Sequence, residues 1–237
     1  LGRLVEADLL TAGGDGRSYV CRHALLQDAA YGSLLKTTRQ RLHGRTADVL
    51  LERFPERAGA QPELVAHHLS AAGRPEPAVD WLTRAAQGSL GRAAAREAVR
   101  QAEKGLLLLA GLPDAPARRR RELALQATAG AARTAVEGFA APAVVQAYRR
   151  SLELCAEAPD APELFWVTWG LWAYYFQRAE LHQALALAER LRQLAGEDAA
   201  LSLQAGHAEG ATRFSLGDFT AARRALERAL GHETPES

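Results

Sequence analysis

The sequence contains no methionine and only two lysines and two cysteines. It also has few residues that favour β-strands. Because a natural chain starts with methionine, we expect this sequence to be a piece of a longer protein. Val, Ile and Thr are sparse beside Ala, Leu, Glu and Arg. This composition favours helix over strand. The hydrophobic share of 48% is sufficient for a large core.

The two cysteines, Cys21 and Cys155, are far apart in the sequence. Neither has a metal ligand at close spacing, apart from His23 beside Cys21. This favours reduced thiols and a cytoplasmic location over a disulfide framework or a cysteine-based metal site. The sequence also lacks a signal peptide and any apolar run near the ~20 residues that a membrane span needs. We therefore expect no membrane partner.

The formal net charge of +1 gives the whole chain no basic footprint for nucleic acid. The densest basic run extends from Arg118 to Arg121, with Asp114, Glu122 and Glu137 near it. Such a run is most often a solvated helix face. The sequence therefore predicts no nucleic-acid partner.

Small and apolar residues recur at fixed offsets between Glu163 and Leu230. One copy contains Trp172, a turn at Ala179-Glu180-Leu181, and then Ala184, Ala188 and Leu191; the next contains Gly210, a turn at Gly217-Asp218-Phe219, and then Ala222, Leu226 and Ala229. Ala184 and Ala222 are 38 residues apart (222 − 184 = 38). Repeats of this length are typical of stacked helix–turn–helix units, in which each unit covers the apolar face of its neighbour.

Two weaker copies of the same offsets precede this stretch. They comprise Ala132, Val144, Tyr148 and Ser151, and before them Ala86, Ala98, Ala102 and Gly105. In the first of these, Phe139 stands where the others have a small turn residue, and we expect Gly138 to supply the flexibility. An insertion is predicted at Gly111–Arg121. Before it the register stays open, because the helix around Ala78 could end one pair or begin the next.

The first 24 residues differ in character from the rest. Leu4, Leu9 and Leu10 suggest a short helix, Thr11 to Gly16 is a glycine-rich turn, and Ser18 to Cys21 is typical of a short strand. This order is typical of the tail of a winged-helix-like module; the alternative is a frayed chain end. The sequence thus predicts a remnant over 1–24 and a helical repeat domain over 25–237. The predicted fold is an all-α, right-handed superhelix of tetratricopeptide-like helix pairs.

Two resemblances to known families support this organisation. Gly217-Asp-Phe-Thr-Ala-Ala222, ending in Ala225-Leu-Glu-Arg-Ala-Leu230, resembles the second half of a tetratricopeptide repeat. Tyr19-Val-Cys-Arg-His-Ala-Leu-Leu-Gln-Asp-Ala-Ala-Tyr31, with Arg41-Leu-His43, resembles the segment after the ATPase module of large bacterial signalling ATPases of the STAND/AAA type. The latter likeness continues through Pro62-Glu-Leu-Val-Ala-His-His68, Gly138-Phe-Ala-Ala-Pro142 and Trp169-Gly-Leu-Trp172, and it covers nearly the whole chain.

The second resemblance implies an upstream ATPase domain in the same parent chain, preceded by a nucleotide cyclase or a protein kinase domain. We favour the cyclase-linked type because of the tryptophan-rich helix and the turn from Gln177 to Leu181. The alternative is the repeat arm of a LuxR-type ATPase transcription regulator. This chain itself lacks a G-x-x-x-x-G-K-[ST] phosphate loop and any counterpart of the cyclase metal-binding aspartates. The sequence therefore predicts no catalytic site and no cofactor.

The adjacent histidines His67 and His68 are the nearest approach to a metal site in the sequence. On a helix, neighbouring side chains point about 100° apart, so we expect the pair not to share one ion. One ring should face the core with a hydrogen bond and the other should face solvent. No third ligand is evident, and the sequence predicts no metal.

An aromatic group provides the best functional lead. It comprises Trp166, Trp169 and Phe176 in one repeat and His207 and Phe214 in the next. Trp169 and His207 occupy equivalent positions (207 − 169 = 38) on the first helix of each pair. In tetratricopeptide arrays this face lines the concave groove. We predict an interaction or sensor scaffold whose groove binds a protein, a peptide or a small-molecule effector; the alternative is that these rings fill core.

Overall fold

The computed structural model of the chain describes residues 2–13, 19–158 and 161–231. Helices account for most of these residues, and the fold is an all-α helical repeat. The short elements at the start are α1 (Gly2–Glu6), β1 (Leu10–Ala12), β2 (Tyr19–Cys21) and α2 (Ala24–Ser33). They are followed by α3 (Lys36–Arg53), α4 (Pro55–Ala60), α5 (Pro62–Ala71), α6 (Pro75–Gly91), α7 (Ala95–Ala110), α8 (Pro116–Glu137), α9 (Pro142–Ala156), α10 (Glu163–Gln177), α11 (Leu181–Ala195), α12 (Ala199–Ser215) and α13 (Phe219–Ala229).

Proline sets the beginning of five helices, α4, α5, α6, α8 and α9, where it occupies the first turn. Proline suits this position because its fixed φ is helical and its missing N–H has no intrahelical acceptor there. By its residue type, Pro55 predicts a helix end, and α3 ends just before it; the short helix α4, which begins at the same proline, is not predicted by that signal. Thr37 and Thr38 are candidate caps of α3 by residue type, but the helix begins at Lys36, and its N-cap Leu35 makes no side-chain hydrogen bond.

The turns between paired helices contain a residue in the left-handed region. The φ angles are 59° at Ala93, 84° at Gly138, 57° at Ala179 and 85° at Gly217. Gly138 therefore supplies the left-handed backbone conformation at this turn, which a phenylalanine adopts only with strain. The prediction that Gly138 provides the flexibility of the turn is confirmed. The equivalence of Ala179 and Gly217 extends the 38-residue repeat from side chains to backbone.

The small residues of the repeat face inward and allow neighbouring helices to approach. In the four copies, the buried repeat positions include Ala86, Ala98, Ala102, Ala132, Val144, Tyr148, Ser151, Trp172, Ala184, Ala188, Leu191 and Ala222. In the last copy, Leu226 is exposed and Ala229 is half-buried. One close contact of this kind involves the ring of Tyr148 on α9, which lies against Gly130 on α8 and Gly170 on α10. A Cβ added at Gly170 would lie 2.6 Å from Tyr148 Cε2. The glycines therefore set the helix spacing.

The ambiguous register around Ala78 has a structural basis. Helix α6, which carries Ala78, packs against α5, α7 and α8. It therefore serves as the second helix of one pair and the first of the next. Along the rest of the array, buried clusters occupy the space between successive helices, as expected for a quasi-one-dimensional stack.

The N-terminal segment contains a two-stranded antiparallel ribbon, in which Leu10 pairs with Cys21 and Ala12 with Tyr19. The predicted strand is present from Tyr19, while Ser18 lies outside the described residues. The turn predicted from Thr11 to Gly16 is wrong at its start, because Thr11 and Ala12 belong to β1, and residues 14–16 lie outside the described residues. The expected helix through Leu9 and Leu10 is wrong, because α1 ends at Glu6 and Leu10 begins β1. The division of the chain at residue 24 stays a prediction.

The arginine run at the start of α8 is ion-paired within the chain. Arg118 contacts Glu122 at 3.2 Å, Arg121 contacts Asp80 at 2.7 Å, and Arg119 bonds both Asp114 and Glu157. These pairs connect α8 to α6 and to the end of α9. Across residues 2–13, 19–158 and 161–231, no helix combines the length and the apolarity needed to cross a lipid bilayer.

Helix α12 offers a local test of the fold at its first turn. The Asp198 carboxylate accepts hydrogen bonds from the backbone N–H groups of Ala200 and Leu201, at 2.9 and 3.0 Å. We expect Asp198→Ala to lower the free energy of unfolding by about 1 kcal/mol, the usual value of an N-cap. Asp198→Asn should retain most of it. Urea titrations followed by circular dichroism would measure both, and equal losses for the two variants would contradict the capping role.

Candidate partner-binding clefts

Trp172 is the centre of the aromatic group. Its ring is buried between α10 and α12, and its Nε1 donates to Thr212 Oγ1 at 2.9 Å. The Thr212 hydroxyl in turn donates to the carbonyl oxygen of Ala208 at 2.7 Å. A buried indole N–H with a satisfied acceptor fixes the ring in one orientation. Trp172 is therefore a rigid platform for its neighbours.

Three of the five predicted residues surround this platform. The ring centroids of Trp169 and Phe176 each lie 5.3 Å from that of Trp172, with Phe176 stacked at 25°. His207, from the next repeat, meets Trp172 edge-on at 5.9 Å. Trp169 and Phe176 are half-buried and His207 is exposed. The group thus has a buried base and an accessible upper surface.

The other two predicted residues lie apart from this group. Trp166 is 53% exposed and packs edge-on against Phe165 at 5.2 Å. Phe214 is 64% exposed and meets Phe219 at 5.2 Å, at the turn between α12 and α13. Among the described residues, no ring contact joins Phe214 to the other four. The five side chains therefore form three groups along the array instead of one continuous line.

Two clefts open beside Trp169. The first, which we call the C-terminal cleft, has a volume of about 400 Å³ and is lined by Trp169, Leu203, Gln204, His207, Leu226, Ala229 and Leu230. The second, the central cleft, has a volume of about 280 Å³ and is lined by Ala127, Ala131, Thr134, Phe139, Tyr148, Trp166, Val167 and Trp169. Trp169 contributes to the walls of both.

Among the buried side-chain polar atoms of the described residues, Trp169 carries the one that has no hydrogen-bond partner. Its Nε1 is buried and has no acceptor among the described residues. A buried donor without an acceptor costs about 1–3 kcal/mol. Because the atom is buried, a ligand oxygen could accept from this N–H and recover that free energy only after the indole ring or a neighbouring side chain had moved.

The clefts have mainly apolar walls with few polar side chains. The polar side chains are Gln204 and His207 in the C-terminal cleft and Thr134 and Tyr148 in the central cleft. Burial raises the pKa of the Tyr148 hydroxyl above its ordinary value, so this phenol stays protonated near neutral pH. Apolar walls with few polar groups are typical of sites that bind a ligand and fix its orientation.

Sequence reasoning missed part of this arrangement. It used Trp172 as a repeat marker and did not recognise it as the platform, although its place at a small-residue position was a usable signal. It also missed Leu203 and Gln204, which the equivalence of the two repeats does not reveal. The outermost lining of the C-terminal cleft is exposed: Leu226 on α13 is 41% exposed, and Leu230, which directly follows α13, is 63% exposed.

The histidine prediction needs a correction. His67 is exposed and His68 is half-buried with a hydrogen-bonded ring, as expected. Their rings do not diverge, however: the centroids are 5.3 Å apart, and both approach His43 on α3. The angle of about 100° separates the directions of the two Cα–Cβ bonds only. Rotation about the side-chain bonds of each histidine can still turn both rings towards α3.

The fold and the clefts place this chain in the class of all-α helical repeat proteins. No family model matches the sequence. The chain is 24% identical over 215 residues to an uncharacterized protein of Rhizobium meliloti (strain 1021), an alignment that covers 90% of this chain and 21% of the relative. It thus spans about a fifth of that relative's length. The crystal structure of BtubC (BKLC) from P. vanneervenii is similar in fold, with a TM-score of 0.56, 17% identity, and coverage of 86% of this chain and 96% of that one.

Proposed function

We propose that this chain is a non-catalytic interaction and sensor scaffold of a multidomain signal-transduction ATPase, with a nucleotide cyclase as its output domain. The observation that carries the proposal is the position of Trp169. This half-buried ring separates two clefts on a rigid aromatic base, and its N–H has no acceptor among the described residues. Tryptophan in such a setting is the residue type most enriched among energetic hot spots of binding.

The chemistry of the clefts favours an apolar segment of a partner with a backbone carbonyl beside it. Apolar side chains would enter the two clefts on either side of Trp169. A shift of the indole ring would then uncover its Nε1, which would donate to the carbonyl. Helical and extended peptides both present apolar side chains at the regular intervals that this requires. A small effector with an apolar body and one acceptor would satisfy the same groups.

The N-terminal segment supports a position beside another module. Val20 is 65% exposed, Leu25 82% and Leu35 75%, although all three are large apolar side chains. Helix α2 has no buried residue at all. A stretch of this kind is typical of a surface that a second domain covers. In the proposal that domain is the ATPase, and a change in the curvature of the array would reach it through α2.

The binding part of the proposal is tested by selecting peptides from a displayed library on the wild-type chain and measuring their affinities. We expect Trp169→Phe, which retains the ring and removes the N–H, to weaken binding about 3- to 10-fold. Trp169→Ala should weaken it at least about tenfold. The matched control is Trp81→Ala, another half-buried tryptophan, on α6 and outside both clefts.

Selected peptides that bind both Trp169 variants as tightly as the wild type would contradict a role for the clefts. The signalling part is tested in the full-length parent protein by deleting residues 141–237. Unchanged ATP turnover after this deletion would count against coupling to an ATPase. The reading frame of the parent gene distinguishes a cyclase-linked protein from a LuxR-type regulator.

A further inference from the structure

Three histidines from two helices converge on one face near the start of the array. His43 lies on α3, and His67 and His68 lie on α5. Each offers a ring nitrogen, and these atoms all lie within 4.8 Å of one another. The shortest separation is 2.8 Å, between Nδ1 of His43 and Nδ1 of His68. We call these three side chains the histidine cluster.

We propose that the histidine cluster binds a divalent first-row transition metal ion, Zn²⁺ in the first instance, through one nitrogen of each ring. Three imidazoles without a carboxylate suit Zn²⁺, Co²⁺, Ni²⁺ or Cu²⁺ and do not suit Mg²⁺ or Ca²⁺. With Zn–N bonds of about 2.0–2.1 Å in a tetrahedral site, the donor atoms lie about 3.3 Å apart. The two Nδ1 atoms of His43 and His68 are 2.8 Å apart, and all three donor nitrogens lie within 4.8 Å of one another. Small rotations of the rings would therefore complete the site.

The hydrogen bond between His43 and His68 shows how the ion would enter. Only one proton can lie between two Nδ1 atoms at 2.8 Å, so one ring donates and the other accepts. The ion would take the place of that proton, which would move through solvent to Nε2 of the same ring, so that both Nδ1 lone pairs point at the metal. Below the pKa of the rings, binding must also displace the second proton of each charged ring, so it should weaken at acid pH.

The protonation state of the cluster favours a cation near neutral pH. The pKa of His43 lies below its ordinary value, mainly because the ring is partly buried and also because His67 is near. The pKa of His68 is lowered mainly by burial and also by the nearby rings of His43 and His67. Both rings are therefore neutral at pH 7, with lone pairs available for coordination.

Tyr31 provides an outer partner of the type that orients metal-bound histidines. Its hydroxyl lies 2.9 Å from Nε2 of His43, the nitrogen that faces away from the cluster. When Nδ1 holds the ion, Nε2–H can donate to this hydroxyl, which fixes the tautomer and the ring orientation. Arg39 lies over the face of the Tyr31 ring, with its guanidinium carbon 5.1 Å from the centroid.

The consequence of binding would be mechanical. His43 and His67/His68 would tie α3 to α5, and Tyr31 would extend the connection to α2, which has no buried residue to hold it in place. The ion would thus fix the N-terminal segment against the first helices of the array. This inference does not depend on the proposed partner clefts, which lie at the other end of the chain.

The test uses the 237-residue chain without a histidine tag, freed of metal by a chelator and titrated with Zn²⁺ against a fluorescent competitor. We expect one ion per chain. His67→Gln changes an exposed side chain and should weaken binding at least about tenfold, while Tyr31→Phe should weaken it about 10- to 100-fold. The control is His182→Gln, the same substitution at an exposed histidine of α11, which should leave the affinity unchanged.

Titration with Co²⁺ gives an independent readout, because coordination by three imidazoles produces visible absorption bands that surface binding to single histidines does not. Zn²⁺ should also raise the midpoint of thermal unfolding of the wild type and not of His67→Gln. Equal affinity of the wild type and His67→Gln, or an equal loss in His182→Gln, would overturn the proposal. Circular dichroism of each metal-free variant confirms that it has folded.

Discussion

Trp172→Ala is expected to lower the free energy of unfolding by about 3–5 kcal/mol, the usual cost of truncating a buried tryptophan. The ring is 4% exposed, and it joins α10 to α12 through its hydrogen bond to Thr212. Its loss leaves a cavity beneath Trp169 and Phe176. Thr212 keeps its own bond to the carbonyl of Ala208, so the cost comes from the cavity and not from an orphaned hydroxyl. Urea unfolding followed by circular dichroism measures the change.

The matched control is Trp166→Ala, the same substitution on the same helix at a ring that is 53% exposed. It should cost about 1 kcal/mol or less, as exposed positions usually do. The loss for Trp172→Phe should lie between those for Trp172→Ala and Trp166→Ala, because phenylalanine keeps most of the packing but cannot make the hydrogen bond. Equal effects at positions 172 and 166 would show that Trp172 is not the platform of the aromatic group.

Gly170→Leu is expected to lower the free energy of unfolding by about 3 kcal/mol, at the upper end of the range for overpacked cores. An added Cβ would overlap the ring of Tyr148, whose Cε1 would be 2.7 Å away. The ring cannot move aside freely, because Gly130 on α8 confines it on the other side, where an added Cβ would lie 2.8 Å from the same Cε1. The substitution must therefore push α9 and α10 apart.

Gly91→Leu is the control for this prediction. Gly91 lies in the last turn of α6, and a Cβ added there would meet nothing within 4 Å. Leucine has the higher helix propensity, so this variant should match or slightly exceed the wild type in stability. If both leucine variants were as stable as the wild type, glycine at position 170 would have no role in helix spacing.

The repeat was predictable because helix pairs impose fixed intervals on residues that must be small. Ala184 and Ala222 are both buried, as the shared offset required. The register around Ala78 was not predictable, because α6 packs on both sides and satisfies either assignment. The helix α4 was not predictable for a different reason. Pro55 follows the end of α3 and is also the first residue of α4, and a proline that ends one helix looks the same in the sequence whether or not a second helix begins there.

The clefts were only partly predictable. Trp169 and Phe176 are seven residues apart, about two helical turns, and this spacing predicts that they share a side of α10; both rings do lie against Trp172. It could not predict that Phe214 would meet Phe219 at the following turn. The histidine cluster depends on the packing of α3 against α5, and nothing in the local sequence of His43 indicates which later helix will face it.

The nesting of helices through small residues is the claim on which the rest depends, and a double-mutant cycle between Gly170→Leu and Tyr148→Ala tests it most directly. The smaller residue at position 148 gives the leucine room, so the double variant should be more stable than the sum of the single losses predicts, by about 1–3 kcal/mol. Losses that simply add, within about 0.5 kcal/mol, would mean that Tyr148 does not lie against Gly170 and that the helices do not nest at this point.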